Sequence, residues 1–180
     1  MSIRIVQERL RAAGYDPGPI DGVWGANTAL ALDKALGLDL DSIDPILIGD
    51  LKRDEGLRLT AYKDTVGVWT IGYGHAHVAP GTVWTQAQAE AALIEDVRKH
   101  NAELAAALPW IGNLDPVRRR VLQNMAFNLG VKGLLGFKNT LGMVKAGDYE
   151  GAARGMLNSL WAKQVKGRAV RLAGQMRTGR

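Results

Sequence analysis

Residues 58–76, "RLTAYKDTVGVWTIGYGHA", constrain this chain more than any other stretch. Tyr, Val, Thr, Ile and Trp crowd together there and glycines interrupt them, a composition that suits short pleated strands and tight reversals. The segment predicts a small antiparallel sheet of two or three strands. Elsewhere the apolar residues return at three- and four-residue spacings, the period of helices that bury one face. The fold class that follows is α+β, a small sheet beside a mainly helical lobe, with a small all-α piece at the start of the chain.

The helix boundaries have local causes. "IRIVQERLRAA" puts Ile3, Val6 and Leu10 on one face before Gly14, which predicts a helix over 3–13. "GYDPGPIDGVWG" demands tight turns, and Asn27 or Thr28 is positioned to cap a second helix to about Leu36. "GLDLDSIDP" is acidic, lacks a period and ends in proline, so it reads as a linker. A helix resumes over 46–57, and "TQAQ" at 85–88 is a capping box that should launch a long helix to about Ala107. Asp115 before Pro116 fits an N-cap followed by the first helical position; further helices are predicted at 116–129, 137–146, 149–159 and 166–176. The expected organisation is a module at 1–38, a linker at 39–47 and a larger domain at 48–180.

Composition narrows the chemistry. There is no cysteine, which removes disulfides, thiolate nucleophiles and cysteine metal sites. Residues 1–96 carry a net charge of −6 and residues 97–180 carry +11, so the C-terminal half should face a polyanion. Scattered aromatics and the lack of a nucleic-acid motif argue against nucleic acid as that partner. The N-terminus interleaves arginine with its apolar residues, unlike a signal peptide, and no apolar run approaches a membrane span of about 18 residues. The expected location is the cytoplasm until another agent provides release.

Two carboxyl groups suggest chemistry. Glu55 falls at a helix end beside Leu57 and Leu59, apolar surroundings in which an acid keeps its proton. Asp64 follows Tyr62 and Lys63 at a hairpin turn, next to a cation, where it should stay ionised. Such a split pair suits glycoside hydrolysis. Thr70, across the hairpin, could hold an attacking water against Asp64.

The surrounding text gives the pair its context. "LKRDEGLRLTAYKDTVGVWTIGYGH" closely resembles the phage-type lysozymes, whose spacing of Glu, eight residues, Asp, five residues, Thr is met by Glu55, Asp64 and Thr70. The likeness continues through "TQAQAEAALIEDV", "DPVRRRVLQNMAFNLGVKGLLGFKNTLGMV", "WAKQVKGRAVRL" and "RTG", covering roughly residues 46–179. It implies a catalytic acid at Glu55, a water-activating base at Asp64, a water-positioning Thr70 and inversion at the anomeric carbon. His75 and Asp96 match a buried structural ion pair, and Arg168 matches an arginine lying against the catalytic Glu. Gly74, Phe127, Asn139 and Thr140 match cleft positions where sugar binds. The chain departs from the pattern in a short "AHVAPGTVW" segment and in Val66 and Leu160, which replace a charged pair at the cleft entrance. "HAH" at 75–77 offers two histidines to a metal, but His100 is distant in sequence, so no metal or cofactor is expected.

Residues 6–38 resemble a second family, a peptidoglycan-binding module: Gln7, Leu10, Gly14, Tyr15, Pro17, Gly18, Ile20, Asp21, Gly22, Trp24, Gly25 and Thr28 fill its pattern. Tyr15, Asp21 and Trp24 are the candidate contacts, although Asp21 also suits a turn-forming role. The usual Phe-Gln near the end of the second helix is replaced by "LDKALGL". Together the resemblances imply a monomeric lytic enzyme without a stable protein partner. It would cleave the β-1,4 bond between N-acetylmuramic acid and N-acetylglucosamine in bacterial peptidoglycan, with anionic outer-membrane lipid as a second contact. A lytic transglycosylase and an inactive wall-binding protein of the same fold are the alternatives.

Overall fold

The computed structural model describes residues 2–35, 43–64 and 67–180. The chain divides into two units, Met1–Arg98 and Lys99–Arg180.

In the first unit, helix α1 (Ile3–Ala12) begins at Ser2, whose side chain accepts the Ile5 N–H. The turn-rich segment after it is organised by Gln7, which is 1% exposed. Its amide donates to the Asp21 carboxylate (3.0 Å), the Val23 carbonyl (2.9 Å) and the Thr28 hydroxyl (3.1 Å), and its oxygen accepts the Gly22 N–H at 2.9 Å. A buried amide satisfied this fully holds α1 to the turn segment and to the start of the next helix, 14 to 21 residues away. Helix α2 (Ala26–Ala35) starts earlier than its expected caps, so Asn27 and Thr28 lie inside its first turn. Thr28 is buried and donates its hydroxyl to the Pro17 carbonyl at 3.0 Å, tying the helix to the loop.

Residues 36–42, which include the first part of the expected linker, lie outside the described residues, as does Val66. Asp44 caps α3 (Pro45–Glu55) by accepting the Ile46 N–H at 2.8 Å, with Pro45 in the first turn. Leu47 and Leu51 bury the inner face of α3. Gly56, at φ +70°, then turns the chain out of the helix.

The three-stranded antiparallel sheet follows, in the order β1 (Arg58–Lys63), β2 (Trp69–Gly72), β3 (His75–Ala76). Tyr62 pairs with Thr70 and Lys63 with Trp69, and the register shifts between Arg58 and Tyr62. At that irregularity the 82–84 segment serves β1 instead: Ala61 N–H donates to Thr82 and Trp84 N–H to Leu59, both at 2.9 Å. Gly72 sits at φ +68°, and a β-carbon there would lie 3.2 Å from Ala89 and 3.3 Å from the Trp84 ring. Helix α4 (Gln86–Ala107) opens with the expected capping box: Gln88 N–H donates to the Thr85 hydroxyl (3.2 Å), and Thr85 N–H donates to the Gln88 side chain (2.8 Å).

In the second unit, a 3₁₀ turn (Pro109–Asn113) leads to α5 (Pro116–Leu135). Asp115 caps α5 by accepting the Val117 and Arg118 N–H groups. The predicted end near 129 corresponds to a break at Gly130 (φ 71°, ψ 154°), after which helical pairing resumes. Helices α6 (Lys138–Ala146), α7 (Tyr149–Leu157), α8 (Leu160–Val165) and α9 (Gly167–Thr178) complete the lobe. The short α8 was not expected from sequence; Ser159 nucleates it by accepting the Ala162 N–H. The core gathers Leu122, Met125, Leu134, Met156, Leu172 and Met176, all at most 1% exposed. Arg118 fastens the C-terminus to this core. It donates to Asp115 (2.7 Å) and to the Met176 (2.8 Å) and Arg177 (3.1 Å) carbonyls, with its guanidinium 3.7 Å from the Tyr149 ring centroid.

Candidate active site

The register of the hairpin fixes the geometry of the acidic site. Paired residues share a face of a sheet, and residues two apart along a strand return to it. Tyr62 opposes Thr70, and Asp64 lies two residues beyond Tyr62, with its N–H on the Val68 carbonyl at 2.9 Å. Asp64 and Thr70 therefore project from the same face. Both are pinned to the backbone of one residue: Asp64 Oδ1 accepts the Val68 N–H at 2.8 Å, and Thr70 Oγ1 donates to the Val68 carbonyl at 3.2 Å. Thr70 is only 4% exposed. Because its proton is committed to Val68, its oxygen is presented as an acceptor, the role needed to take one hydrogen of a water whose other hydrogen points to a carboxylate.

Glu55 is the last residue of α3, three residues before β1 begins, and is half-buried. The apolar shielding expected from Leu57 and Leu59 is not supplied by those side chains, which are 37% and 38% exposed. The bulged start of β1 turns them outward, a displacement that a two-residue period does not reveal.

His75 and Asp96 form the expected ion pair, at 2.8 Å from Nδ1 to Oδ2, with the imidazole also against the Trp84 ring. The pair is not buried, however: the side chains are 36% and 22% exposed, because β3 is a two-residue edge strand. Gly74 provides the β2–β3 turn at φ +96°; nothing lies near the position of a β-carbon there, so backbone conformation, not space, asks for glycine.

The remaining candidates belong to the second unit. Arg168, 9% exposed near the start of α9, donates from Nε to Asn124 Oδ1 (2.9 Å) and from Nη2 to the Asn124 carbonyl (3.2 Å). Asn124 is fully buried. Sequence reasoning missed it, though a polar residue among Val121, Leu122 and Met125 on the apolar side of a helix is the signal that marks such a holder. Phe127 is half-buried, 5.3 Å from the His100 ring centroid. Asn139 is exposed on α6, whereas Thr140 is buried, and a β-carbon on Gly155 of α7 would come within 2.6 Å of its hydroxyl. Thr140 thus packs α6 against α7.

In the N-terminal module Asp21 braces the turn, accepting from Gln7 and from the Val23 N–H at 2.9 Å. Those two hydrogen bonds, the Gln7 one foremost, hold its carboxyl below the usual aspartate range against a smaller opposing effect of burial. Tyr15 and Trp24 are half-buried. A crevice of about 190 Å³ lies between this loop and the start of α4, lined by Pro17, Pro19, Val23 and Asn27 on one side and Ala87 and Glu90 on the other.

A helical protein with a three-stranded sheet, an acid at a helix end and an acid–threonine pair on the following hairpin has the arrangement of a lysozyme. Residues 52–178 match the family "Phage lysozyme", and residues 2–34 match "Putative peptidoglycan binding domain". An endolysin of Acyrthosiphon pisum secondary endosymbiont phage 1 is 37% identical over 128 residues, covering 69% of this chain and 83% of that protein. "Probable T4-type lysozyme 1" of Dictyostelium discoideum is 31% identical over 156 residues, covering 72% and 92%. The pre-baseplate central spike protein Gp5 of Enterobacteria phage T4 is 33% identical over 156 residues; the match covers 72% of this chain but only 27% of that protein. The chain belongs to the phage lysozyme family. It is a glycoside hydrolase with peptidoglycan as its substrate, preceded by a peptidoglycan-binding segment.

Proposed function

We propose that Glu55, Asp64 and Thr70 cleave the β-1,4 bond between N-acetylmuramic acid and N-acetylglucosamine by inversion. Asp64 accepts one proton from a water while Thr70 Oγ1 accepts the hydrogen bond of the other. The water oxygen bonds to the anomeric carbon from the face opposite the leaving group. As the glycosidic C–O bond breaks, Glu55 gives its proton to the departing oxygen, so one water is added across the bond. The observation that carries this reading is the shared anchoring of Asp64 and Thr70 on the backbone of Val68, in the hairpin that follows Glu55.

Glu55→Gln keeps the shape of the side chain and removes the transferable proton. Turnover on purified sacculi should fall at least a thousandfold with an unchanged melting temperature, and near-normal turnover would refute the assignment. Mass spectrometry of the wild-type products should show reducing muramic acid; 1,6-anhydro ends would indicate a transglycosylase instead.

The same reading assigns residues 1–38 to wall attachment, 39–47 to a linker and 48–180 to catalysis, with Gly74, Phe127, Asn139 and Arg168 serving the sugar-binding cleft and Thr140 supporting it. The physiological setting we infer is lysis of a bacterial host, the enzyme waiting in the cytoplasm until released to the wall. Among the described residues no helix is long and apolar enough to cross a membrane. Fractionation of cells before and during lysis tests the location, and an enzyme found at the wall from the start would contradict it. Anionic outer-membrane lipid is the second proposed contact: residues 151–180 contain seven Lys or Arg and no Asp or Glu, and Leu157, Leu160 and Val170 are 45%, 71% and 65% exposed among them.

A further inference from the structure

A cation lies against Tyr62, the residue that opposes Thr70 in the hairpin. Arg58 pairs with Gly72 and Tyr62 pairs with Thr70, with a register irregularity between the two pairs. Contact bridges that irregularity: the Arg58 guanidinium lies 4.4 Å from the centroid of the ring of Tyr62, the residue opposite Thr70. Tyr62 is half-buried and Arg58 is exposed. The ring holds the guanidinium in place from one flat side, yet among the described residues Arg58 makes no ion pair or hydrogen bond that would consume its N–H groups. The neighbouring cation behaves differently. Lys63 is next to Asp64 in sequence but pairs opposite Trp69, on the other face, and lies over the Trp69 ring at 5.7 Å.

An arginine stacked on an aromatic ring with its N–H edge open is preorganised for a planar oxyanion, because the stack removes side-chain freedom before the ligand arrives and the fork matches two carboxylate oxygens. The polymer cut by this enzyme carries carboxylates only on the short peptides attached to its muramic acid residues; the sugars themselves are neutral. Arg58 is held on Tyr62, which lies two residues before the base and opposite Thr70, so a peptide substituent of a glycan bound at Asp64 would be placed beside this cation.

We propose that Arg58, supported by Tyr62, is a specificity residue that binds a carboxylate of the peptide substituent of the glycan. The inference rests on the hydrolytic reading above. It predicts a preference for peptide-bearing wall that comes from an ion-pair interaction at one side chain, made equally in the ground and transition states, and therefore visible in KM more than in kcat.

The test compares the full-length wild type with Arg58→Ala and Arg58→Lys on native sacculi, and on sacculi whose peptide carboxyls have been amidated with carbodiimide and ammonia. On native wall Arg58→Ala should raise KM about tenfold, the loss of one charge-assisted hydrogen-bonded contact, with kcat and melting temperature unchanged. Arg58→Lys should fall between, since it keeps the charge and loses the fork. Amidation should raise the wild-type KM by the same factor and leave Arg58→Ala unaffected, because each change removes one partner of the same pair. Effects of amidation and substitution that multiply, or a substitution that leaves KM unchanged, would overturn the proposal. Extraction of wall phosphate polymers with hydrofluoric acid separates the other oxyanion source: an effect that follows phosphate removal instead of amidation would also overturn it. Failure of the wild type to cleave native wall would remove the hydrolytic reading itself, a result distinct from an Arg58 substitution without effect.

Discussion

Substitution of Gln7 by leucine should open the N-terminal segment while leaving the rest of the fold in place. Leucine conserves volume at a position 1% exposed, so cavity and overpacking costs are small and the change isolates polar pairing. The amide has two hydrogens shared among three acceptors, and its oxygen takes one donor, so roughly three hydrogen bonds' worth of pairing is lost. At about 1 kcal/mol each, the destabilisation is about 3 kcal/mol. That is large for a segment of some 35 residues, which buries too little surface to hold itself together without specific pairing. Hydrogen exchange read by mass spectrometry gives the local answer: amides of α1 and α2 should exchange about a hundredfold faster, at 1.4 kcal/mol per decade. Those of β2 and α5 should be unchanged. Co-sedimentation with sacculi should fall in parallel, whereas hydrolysis of short soluble glycans should not. Unaltered exchange in α1 and α2 would mean that Gln7 is replaceable and that contacts with its surroundings, not the amide network, hold the segment.

Asp115 should shape the acid limb of stability. Burial pushes its carboxyl upward, but hydrogen bonds from the Arg118 backbone and side chain, the Arg118 charge and the Val117 N–H outweigh it, and the net direction is downward. A carboxyl lowered in the folded state contributes stability above its unfolded value of about 3.9, which is lost as the pH falls through the folded value. Asp115→Asn, which can still cap α5, should therefore lower the melting temperature by a few degrees at pH 7, about 1 kcal/mol for a partly screened pair, and the gap to wild type should shrink steadily as the pH falls below about 3.9; a gap that does not change with pH would contradict the ion-pair origin. For the proposed lipid contact, the protein should co-sediment with vesicles containing anionic lipid and not with neutral ones. Leu160→Ser combined with Val170→Ser should weaken that retention several-fold with sacculus hydrolysis unchanged, and equal retention on both vesicle types would rule it out.

The glycine-broken run of Tyr, Val, Thr, Ile and Trp determined by itself that a small sheet forms and where. The caps at Asp115 and Thr85–Gln88 likewise fixed two helix starts, because their hydrogen bonds close within three residues. The spacing of Asp64 and Thr70 also put the two on opposite arms of a tight hairpin, which the pairing of Tyr62 with Thr70 and of Lys63 with Trp69 matches. Thr28 shows where local reading ends: it looked like a cap, but its hydroxyl serves a carbonyl eleven residues away.

Tertiary structure alone decided the rest. Asn124 reaches Arg168 across 44 residues, and Arg118 reaches Met176 across 58; which partner each one meets is not written in its own neighbourhood. Burial is a second such quantity. The outward turn of Leu57 and Leu59 and the partial exposure of the His75–Asp96 pair depend on how a bulged strand and a two-residue edge strand are covered. Local hydrogen bonds are written in neighbouring residues, so the chain announces them directly. Which polar groups are enclosed, and by what, depends on segments that meet only when the chain has packed.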